Sequence, residues 1–413
     1  MKILILTQYF PPETGAPQNR LFEIAIRLQN KGADITVLTA MPNYPQMKIY
    51  DKYKKKLYYY EELQGLKIHR SWIFVKNSKS IFFRIINYFS FVFSSFFVGL
   101  FKLKKYDYIF CESPPLFLGI SAYLLKKIKK SKLIFNVSDL WPESAEKLGL
   151  ISNKFLLKST ILLEEFLYKK SEIITCQTQG IVKNILNRFP DKTIYWLKNG
   201  VDINFYNPEN IRTKWREKNS FADNDFILLY AGIIGYAQGL DVILKSAEAL
   251  KNNSSYRQIK FVLLGDGPEK KRLLEIKNKL NLDNVYFFDS ISKNNMPSVI
   301  KAIDVAVIPL KRLDIFKGAI PSKIFEALSM KKPILLGVEG EAKELFIDQG
   351  KCGLSFVPED DKDLSEKIIE IYNSPKLINF FGYNALQYVK KYFSRDKIAD
   401  DFWKLIKEKQ KTE

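Results

Sequence analysis

The chain has 413 residues, of which 46% are hydrophobic and 27% charged; this is too long for one ordinary core, suits two domains of roughly 200 residues, and excludes a disordered protein. Its three cysteines, Cys111, Cys176 and Cys352, are far apart with no C-x-x-C pair, which argues against a disulfide framework or a zinc site and for a reduced, cytoplasmic setting. The net charge of +20 is lopsided, with 31 Lys/Arg against 15 Asp/Glu through residue 200 and 34 against 30 beyond it, so one half presents a basic surface of the kind that attracts nucleic acid or an anionic leaflet.

The opening apolar run, Met1–Leu6, stops at Pro11-Pro12; it is too short for a signal-peptide core and reads as a first buried strand. Further strands are expected at Asp34–Leu38, Tyr108–Cys111, Leu133–Val137 and Ile173–Gln177, with helical patterns at Asn19–Lys31 and Pro115–Lys130 between them. Strand and helix in alternation imply a parallel sheet covered on both faces. The pattern restarts after a linker near 200–210. Strands are expected at Phe226–Ala231, Gln258–Leu264, Val285–Phe288, Val305–Pro309 and Pro333–Leu336, and helices at Gly239–Lys251, Glu269–Leu280 and Ser322–Ser329. Two doubly wound α/β modules follow, over residues 1–200 and 201–382, each expected to bind ligand at the carboxyl ends of its strands, with a cleft between them. Residues 383–413 read as one long amphipathic helix.

One segment stands apart. Residues 85–101 carry no charge, with Arg84 and Lys79 before them and Lys102, Lys104 and Lys105 after. The run is slightly short for a spanning helix and falls between two strands of the first module, where spanning would tear the sheet. A helix lying in a membrane interface, between basic flanks, is the expectation; a buried core helix is the alternative.

Three glycine turns close strands: Pro12–Pro17 around Gly15, Tyr230–Gly235, and Leu264–Pro268 around Gly267. Such turns let backbone N–H groups approach a phosphate. No G-x-G-x-x-G follows the first strand, which speaks against an oxidoreductase. In the run 318–328, Pro321 starts a helix, Ser322 and Lys323 fall at its beginning, and Glu326 sits one turn on along the same face. A carboxylate there can accept both ribose hydroxyls, while Lys323 and Lys317 can neutralise a diphosphate; the plain alternative is a surface salt bridge. Asp139 and Glu143 flank Trp141-Pro142, where Asp139 also reads as an N-cap and Glu143 as a first-turn dipole partner. Glu112 reads as an ordinary strand-end carboxylate, Lys271 and Arg272 as a solvated helix face, and the lone His69 as structural. No D-x-D falls in the plausible site segments and no His/Cys cluster has metal spacing.

The pieces P-S-K-I-F-E-A-L-S-M-K-K-P-I-L, L-Y-A-G-I-I-G, L-L-G-D-G-P-E, K-N-G-V-D and Q-Y-F-P-P-E-T-G-A resemble glycosyltransferase family 4, retaining enzymes with the two-domain GT-B fold. Asp139-Leu140-Trp141-Pro142-Glu143-Ser144 with Ser113-Pro114-Pro115-Leu116 resembles the bacterial O-antigen and capsule branch, which includes N-acetyl-L-fucosamine and colanic acid transferases. The resemblance covers nearly the whole chain in order. It implies a donor sugar, an N-acetylamino deoxyhexose, on a nucleotide diphosphate (UDP before GDP), and a polyprenyl-diphosphate-linked saccharide as acceptor. No metal or other cofactor is implied, and the setting is the cytoplasmic face of an anionic membrane. By resemblance Glu326 is the second glutamate of the family's Glu, seven residues, Glu signature. The first falls on Gly318, and the family's diphosphate lysine falls on Gln238. Lys323, with Lys317, Ser322 and the Gly235 and Gly267 backbone, is then the expected donor set. Asp139 is placed near the reacting carbon, and Gly15, Arg20 and Glu143 toward the acceptor. The last helix is expected to cross back to the first domain.

Rival readings are a nucleotide-sugar 2-epimerase, a non-catalytic GT-B subunit, and a nucleic-acid binder. The apolar segment speaks against the first and the substituted clamp positions keep the second open. Charge without a recognised module is weak support for the third.

Overall fold

A computed structural model describes the chain except residues 14, 45, 79, 144–145, 147–152 and 412–413. Thr14 of the first glycine turn, Ser144 of the Asp139 motif, Lys79 and the end of the tail therefore lie outside the described residues. The chain divides into two compact units, residues 1–199 with the chain from Ile398 onward, and residues 200–397.

In the first unit the strands are β1 (Lys2–Leu6), β2 (Asp34–Ala40), β3 (Tyr58–Leu63), β4 (Leu66–Ser71), β5 (Tyr108–Ser113), β6 (Lys132–Val137), β7 (Ile173–Cys176) and β8 (Ile194–Trp196). Among the described residues they form one sheet in the order β3-β4-β2-β1-β5-β6-β7-β8. It is parallel apart from the β3–β4 hairpin, which is antiparallel; the all-parallel expectation fails there because Gln64-Gly65, both at positive φ, give the tight turn that only antiparallel neighbours can use. Period-two alternation sends side chains to two cores. Leu4, Leu6, Ile109, Leu133, Phe135 and Ile174 face one side, where helices α2 (Ile81–Lys102), α3 (Leu118–Lys129), α4 (Lys154–Lys170) and α5 (Gln179–Arg188) lie. Ile3, Ile5, Ile35, Val37, Phe110 and Ile173 face the other, against α1 (Ala16–Asn30).

The second unit carries β9 (Phe226–Ala231), β10 (Ile259–Leu264), β11 (Val285–Phe288), β12 (Val305–Pro309), β13 (Ile334–Gly337) and β14 (Gly353–Ser355). The sheet is parallel in the order β11-β10-β9-β12-β13-β14, so chain direction across the sheet reverses between β9 and β12, where an open α/β sheet leaves a crevice. Its helices are α6 (Asp241–Lys251), α7 (Lys270–Lys279), α8 (Met296–Ala302), α9 (Lys323–Ser329), α10 (Asp361–Tyr372) and α11 (Pro375–Tyr392).

The tail is two helices rather than one. Phe393 breaks the helical pattern: it packs on Phe325 and Phe346, and its carbonyl takes the Val201 N–H at 3.0 Å. Residues 383–392 thus end α11 in the second unit. The final helix, α12 (Arg395–Lys411), buries Ile398, Ala399, Phe402, Trp403 and Ile406 in the first unit's core with Ile3 and Phe110. Fully burying a side chain of this size contributes about 1.5–3 kcal/mol, so this apolar stripe anchors the helix.

Candidate functional site

At the carboxyl end of β9, Tyr230 is buried and its hydroxyl donates to the Ile233 carbonyl at 2.5 Å, which shapes the Gly232–Gly235 turn. That turn packs backbone to backbone on the one after β10. Gly232 N–H donates to Leu264 O and Ile234 N–H to Asp266 O, both at 2.9 Å. A Cβ on Gly265, at φ +150°, would lie 1.9 Å from the Gly232 oxygen, and one on Gly267 2.3 Å from the Ile234 oxygen. The second glycine turn is therefore needed for close loop packing, a different reason from the phosphate approach expected of Gly267.

Helix α9 brings its first turn to this loop. The Lys323 ammonium lies 3.7 Å from the centre of the Tyr230 ring and 3.0 Å from where a Gly232 Cβ would stand. Burial pushes its pKa down to about 7, although Glu326 nearby pulls it up. Glu326, one turn further, is pushed the other way by burial, above the usual carboxylate range, against the lowering effects of the Tyr206 hydroxyl and of Arg395, Lys293 and Lys323. A lysine and a carboxylate are thus both held short of solvation on one helix turn, a pattern concentrated at binding sites. The two line a recess of about 310 Å³, open to solvent, with Ala231, Met296 and Ile308 among its other walls. Tyr206 reaches Glu326 because its carbonyl accepts the Ser329 hydroxyl at 2.6 Å. Arg395 is set by the Gly200 and Val201 carbonyls, each at 3.0 Å. Tyr206, Lys293 and Arg395 were not legible in the sequence, since each arrives from a distant stretch of chain.

Lys317 does not join them. It is exposed, follows the turn Asp314–Phe316, is paired with Asp314 at 2.8 Å, and with Lys311 and Arg312 lines a recess other than that of Lys323 and Glu326. Lys311 lines that same recess and also reaches the glycine loop: its ammonium lies 3.5 Å from the Tyr236 ring centre and its N–H bonds Ala237 O at 2.9 Å. No sequence signal marked it. Gly235 opens the turn Tyr236–Gln238, and Ser322 sits at the start of α9 without a side-chain cap bond. Lys271 and Arg272 are exposed, as expected; Arg272 also bonds Asp241 at 2.7 and 2.8 Å and Glu269 at 2.7 Å.

In the first unit Arg20 is tied to the residue that precedes Asp139. Gly15 is the N-cap of α1, with Pro17 in its first turn, and Arg20 stands on that helix. Arg20 donates to Glu112 Oε1 at 2.6 Å and to Ser138 Oγ at 2.9 Å. Asn136 donates to Glu112 Oε2 at 2.6 Å and accepts from Thr175 at 2.7 Å. The Ser138 hydroxyl also bonds Glu112. Glu112, read as an ordinary strand end, is the buried centre of this network. Asp139 directly follows Ser138 and is exposed; Glu143 is partly buried. His69 is structural, its Nδ1 2.8 Å from the Tyr58 hydroxyl. Among the described residues no group of three or more His, Cys, Asp or Glu could hold a metal ion.

Residues 211–388 match the family described as Glycosyl transferases group 1. WcaI of Escherichia coli (strain K12), named as a glycosyl transferase of colanic acid biosynthesis, is 26% identical over 337 residues, 80% of this chain and 81% of that one. The O-antigen chain mannosyltransferase C of Escherichia coli is 23% identical over 257 residues, 61% of this chain and 65% of that one. Among solved structures, HepE of Anabaena in complex with UDP and glucose matches with a TM-score of 0.70 at 16% identity, covering 99% of this chain and 100% of that one. The second unit is a glycosyl transferases group 1 domain, and the fold as a whole is GT-B. The chain is a glycosyltransferase.

Proposed function

We propose that the chain transfers a sugar from a UDP-linked donor, an N-acetylamino deoxyhexose, to a polyprenyl-diphosphate-linked saccharide in surface polysaccharide synthesis, at the cytoplasmic face of the membrane and with retention of configuration. The carrying observation is Lys323 set against the Gly232 turn with Glu326 on the same helix turn. In this reading Glu326 accepts the ribose hydroxyls, and Lys323 and Lys311 stabilise the diphosphate as it leaves. Their two charges perform what a metal does elsewhere, so no metal is required. Asp139 serves the acceptor side, with the acceptor proton passing to it or to the departing phosphate oxygen. Gly15 and Glu143 line the acceptor approach, and Arg20 holds the loop of Asp139 through Ser138.

The relatives named for colanic acid and O-antigen synthesis support the substrate class, and the UDP-bound neighbour supports the nucleotide. The apolar α2, with its exposed Phe93, Phe97 and Phe101, supports the membrane setting. Thermal shift with UDP, GDP and their N-acetylamino sugar conjugates, with and without magnesium, tests the reading. Saturable stabilisation by the uridine ligands alone is expected, about 2.7 kcal/mol at a hundredfold excess over Kd, unchanged by magnesium. No response to any nucleotide would favour a non-catalytic GT-B subunit.

A further inference from the structure

Helices α2, α3 and α4 lie side by side over one face of the first sheet. Their inner sides enter the same core through Phe91 and Val92, Leu118, Ala122 and Leu125, and Leu167 and Tyr168. Small residues bring them close. Ser95 Oγ meets Ser121 Oγ at 3.0 Å; a Cβ on Gly99 would strike Leu125 at 2.6 Å, and one on Gly119 would strike Leu167 at 2.3 Å. Tyr123 of α3 packs edge-on against Phe166 of α4, ring centres 4.7 Å apart.

The outer side of this layer is apolar on all three helices. On α2, Phe93, Phe97 and Phe101 recur every four residues, 62%, 52% and 75% exposed. On α3, Leu124 and Ile128 do the same, and on α4 Phe155, Leu162 and Phe166 run along the face opposite buried Thr160, Glu164 and Leu167. Phe155 is 81% exposed and Leu162 58%. The same three helices hold nine Lys/Arg and two Asp/Glu, and both acids, Glu164 and Glu165, are already bonded to Arg188. Lys102, Lys127, Lys154, Lys158 and Lys169 remain exposed around the apolar stripes.

We propose that the outer surface of α2, α3 and α4 together is a monotopic docking face for an anionic lipid leaflet, with the α4 ridge Phe155–Leu162–Phe166 as a second anchor beside α2. This rests on the membrane setting proposed above and extends it from one helix to a plane. Apolar side chains inserted among acyl chains, with lysines at headgroup level, match the composition of interfacial helices. A second copy of the chain fits poorly, since two such faces would bring like charge against like. α2 is long and apolar enough to cross a membrane, but its side carrying Asn87, Phe91, Val92, Ser95 and Gly99 is buried in the core, so it lies on the surface of the unit.

The test is co-sedimentation of the full chain with phosphatidylcholine vesicles with and without phosphatidylglycerol. Phe155→Ser with Leu162→Ser is expected to lower partition onto the anionic vesicles by roughly tenfold, as is Phe93→Ser with Phe97→Ser and Phe101→Ser. Both variants keep the UDP thermal shift, so loss of that shift alone would fault the donor reading and not this one. Partition unchanged by the α4 pair would overturn the three-helix face and leave α2 alone. Because the three native cysteines are buried, a fluorophore on Phe155→Cys tests the same point without disturbing the apolar stripe on α2. Quenching by brominated lipid, as for one on Phe97→Cys, is expected, and no quenching overturns the proposal. So does a concentration-dependent dimer, or RNA binding, through this face without vesicle binding.

Discussion

Near the carboxyl ends of the two sheets a carboxylate sits beside a cation, buried for Glu112 and partly buried for Glu326, and the two are built for opposite purposes. Glu112, at the end of β5, has every oxygen occupied: Arg20, Ser138 and Asn136 all bond it within the first unit. Glu326, on α9, is raised by burial despite four neighbours that favour its charge, and its partner Lys323 is depressed to about 7. A carboxylate satisfied from inside is scaffold, since a ligand could only compete with its partners. A carboxylate and a lysine left poorly solvated gain when a ligand completes them. The comparison separates framework from binding site where sequence pattern alone does not.

The largest expected effect breaks the first half of that comparison. Glu112→Ala strands the Arg20 guanidinium in a partly buried site and should destabilise the protein by about 3–5 kcal/mol, read as a lower midpoint in urea unfolding. Glu326→Ala should change the unfolding free energy by no more than about 1 kcal/mol, yet weaken UDP binding by roughly a hundredfold through two lost charge-assisted hydrogen bonds, measured by titration calorimetry. If the two variants exchange these behaviours, the assignment of scaffold and site is reversed.

What was legible follows the range of the signal. Three strands of the second unit, Phe226–Ala231, Val285–Phe288 and Val305–Pro309, have the bounds that apolar runs between turns suggest. Lys323 and Glu326 could be read because their relation is local, one helix turn. The β3–β4 hairpin escaped because Tyr58–Leu63 mixes tyrosines with two glutamates and only half buries its side chains. Glu112 escaped because its role depends on Arg20, 92 residues away, and on Ser138. Tyr206 and Arg395 escaped for the same reason. The Asp314 partner of Lys317 and the turn that carries both were likewise not legible from the charge pattern.

A smaller, graded effect tests Lys323 through pH. An unfolded lysine keeps its proton to about 10.5, whereas this one releases it near 7 in the folded protein. Between those values the unfolded state binds more protons, so this group makes stability rise with pH across that window, and its full cost is present below 7. A bound diphosphate favours the ammonium, so donor binding above pH 7 must take up a proton. UDP affinity is then expected to fall by up to about tenfold per pH unit above 7, with proton uptake visible as a buffer-dependent binding enthalpy. Lys323→Arg, charged throughout, should flatten the profile. A flat profile in the parent protein would remove Lys323 from the diphosphate.

The smallest effect sharpens the comparison within the second unit, between two lysines six residues apart. Lys317 is exposed and answered by Asp314, three residues back, and an exposed pair of this kind is screened by solvent and salt. Lys311 lies against the loop that leads into α6, its ammonium on the Tyr236 ring and its backbone bonded to Ala237, where helix-start N–H groups and a cation act on the same anion. Lys317→Ala should therefore leave UDP affinity within about twofold of the parent, while Lys311→Ala should weaken it by roughly tenfold. The Lys311 loss should shrink as salt is raised, and UDP should report it more strongly than uridine, which has no diphosphate to be held. Equal losses from both variants would mean that the general basic field of this end of the sheet, and not a placed cation, holds the phosphates.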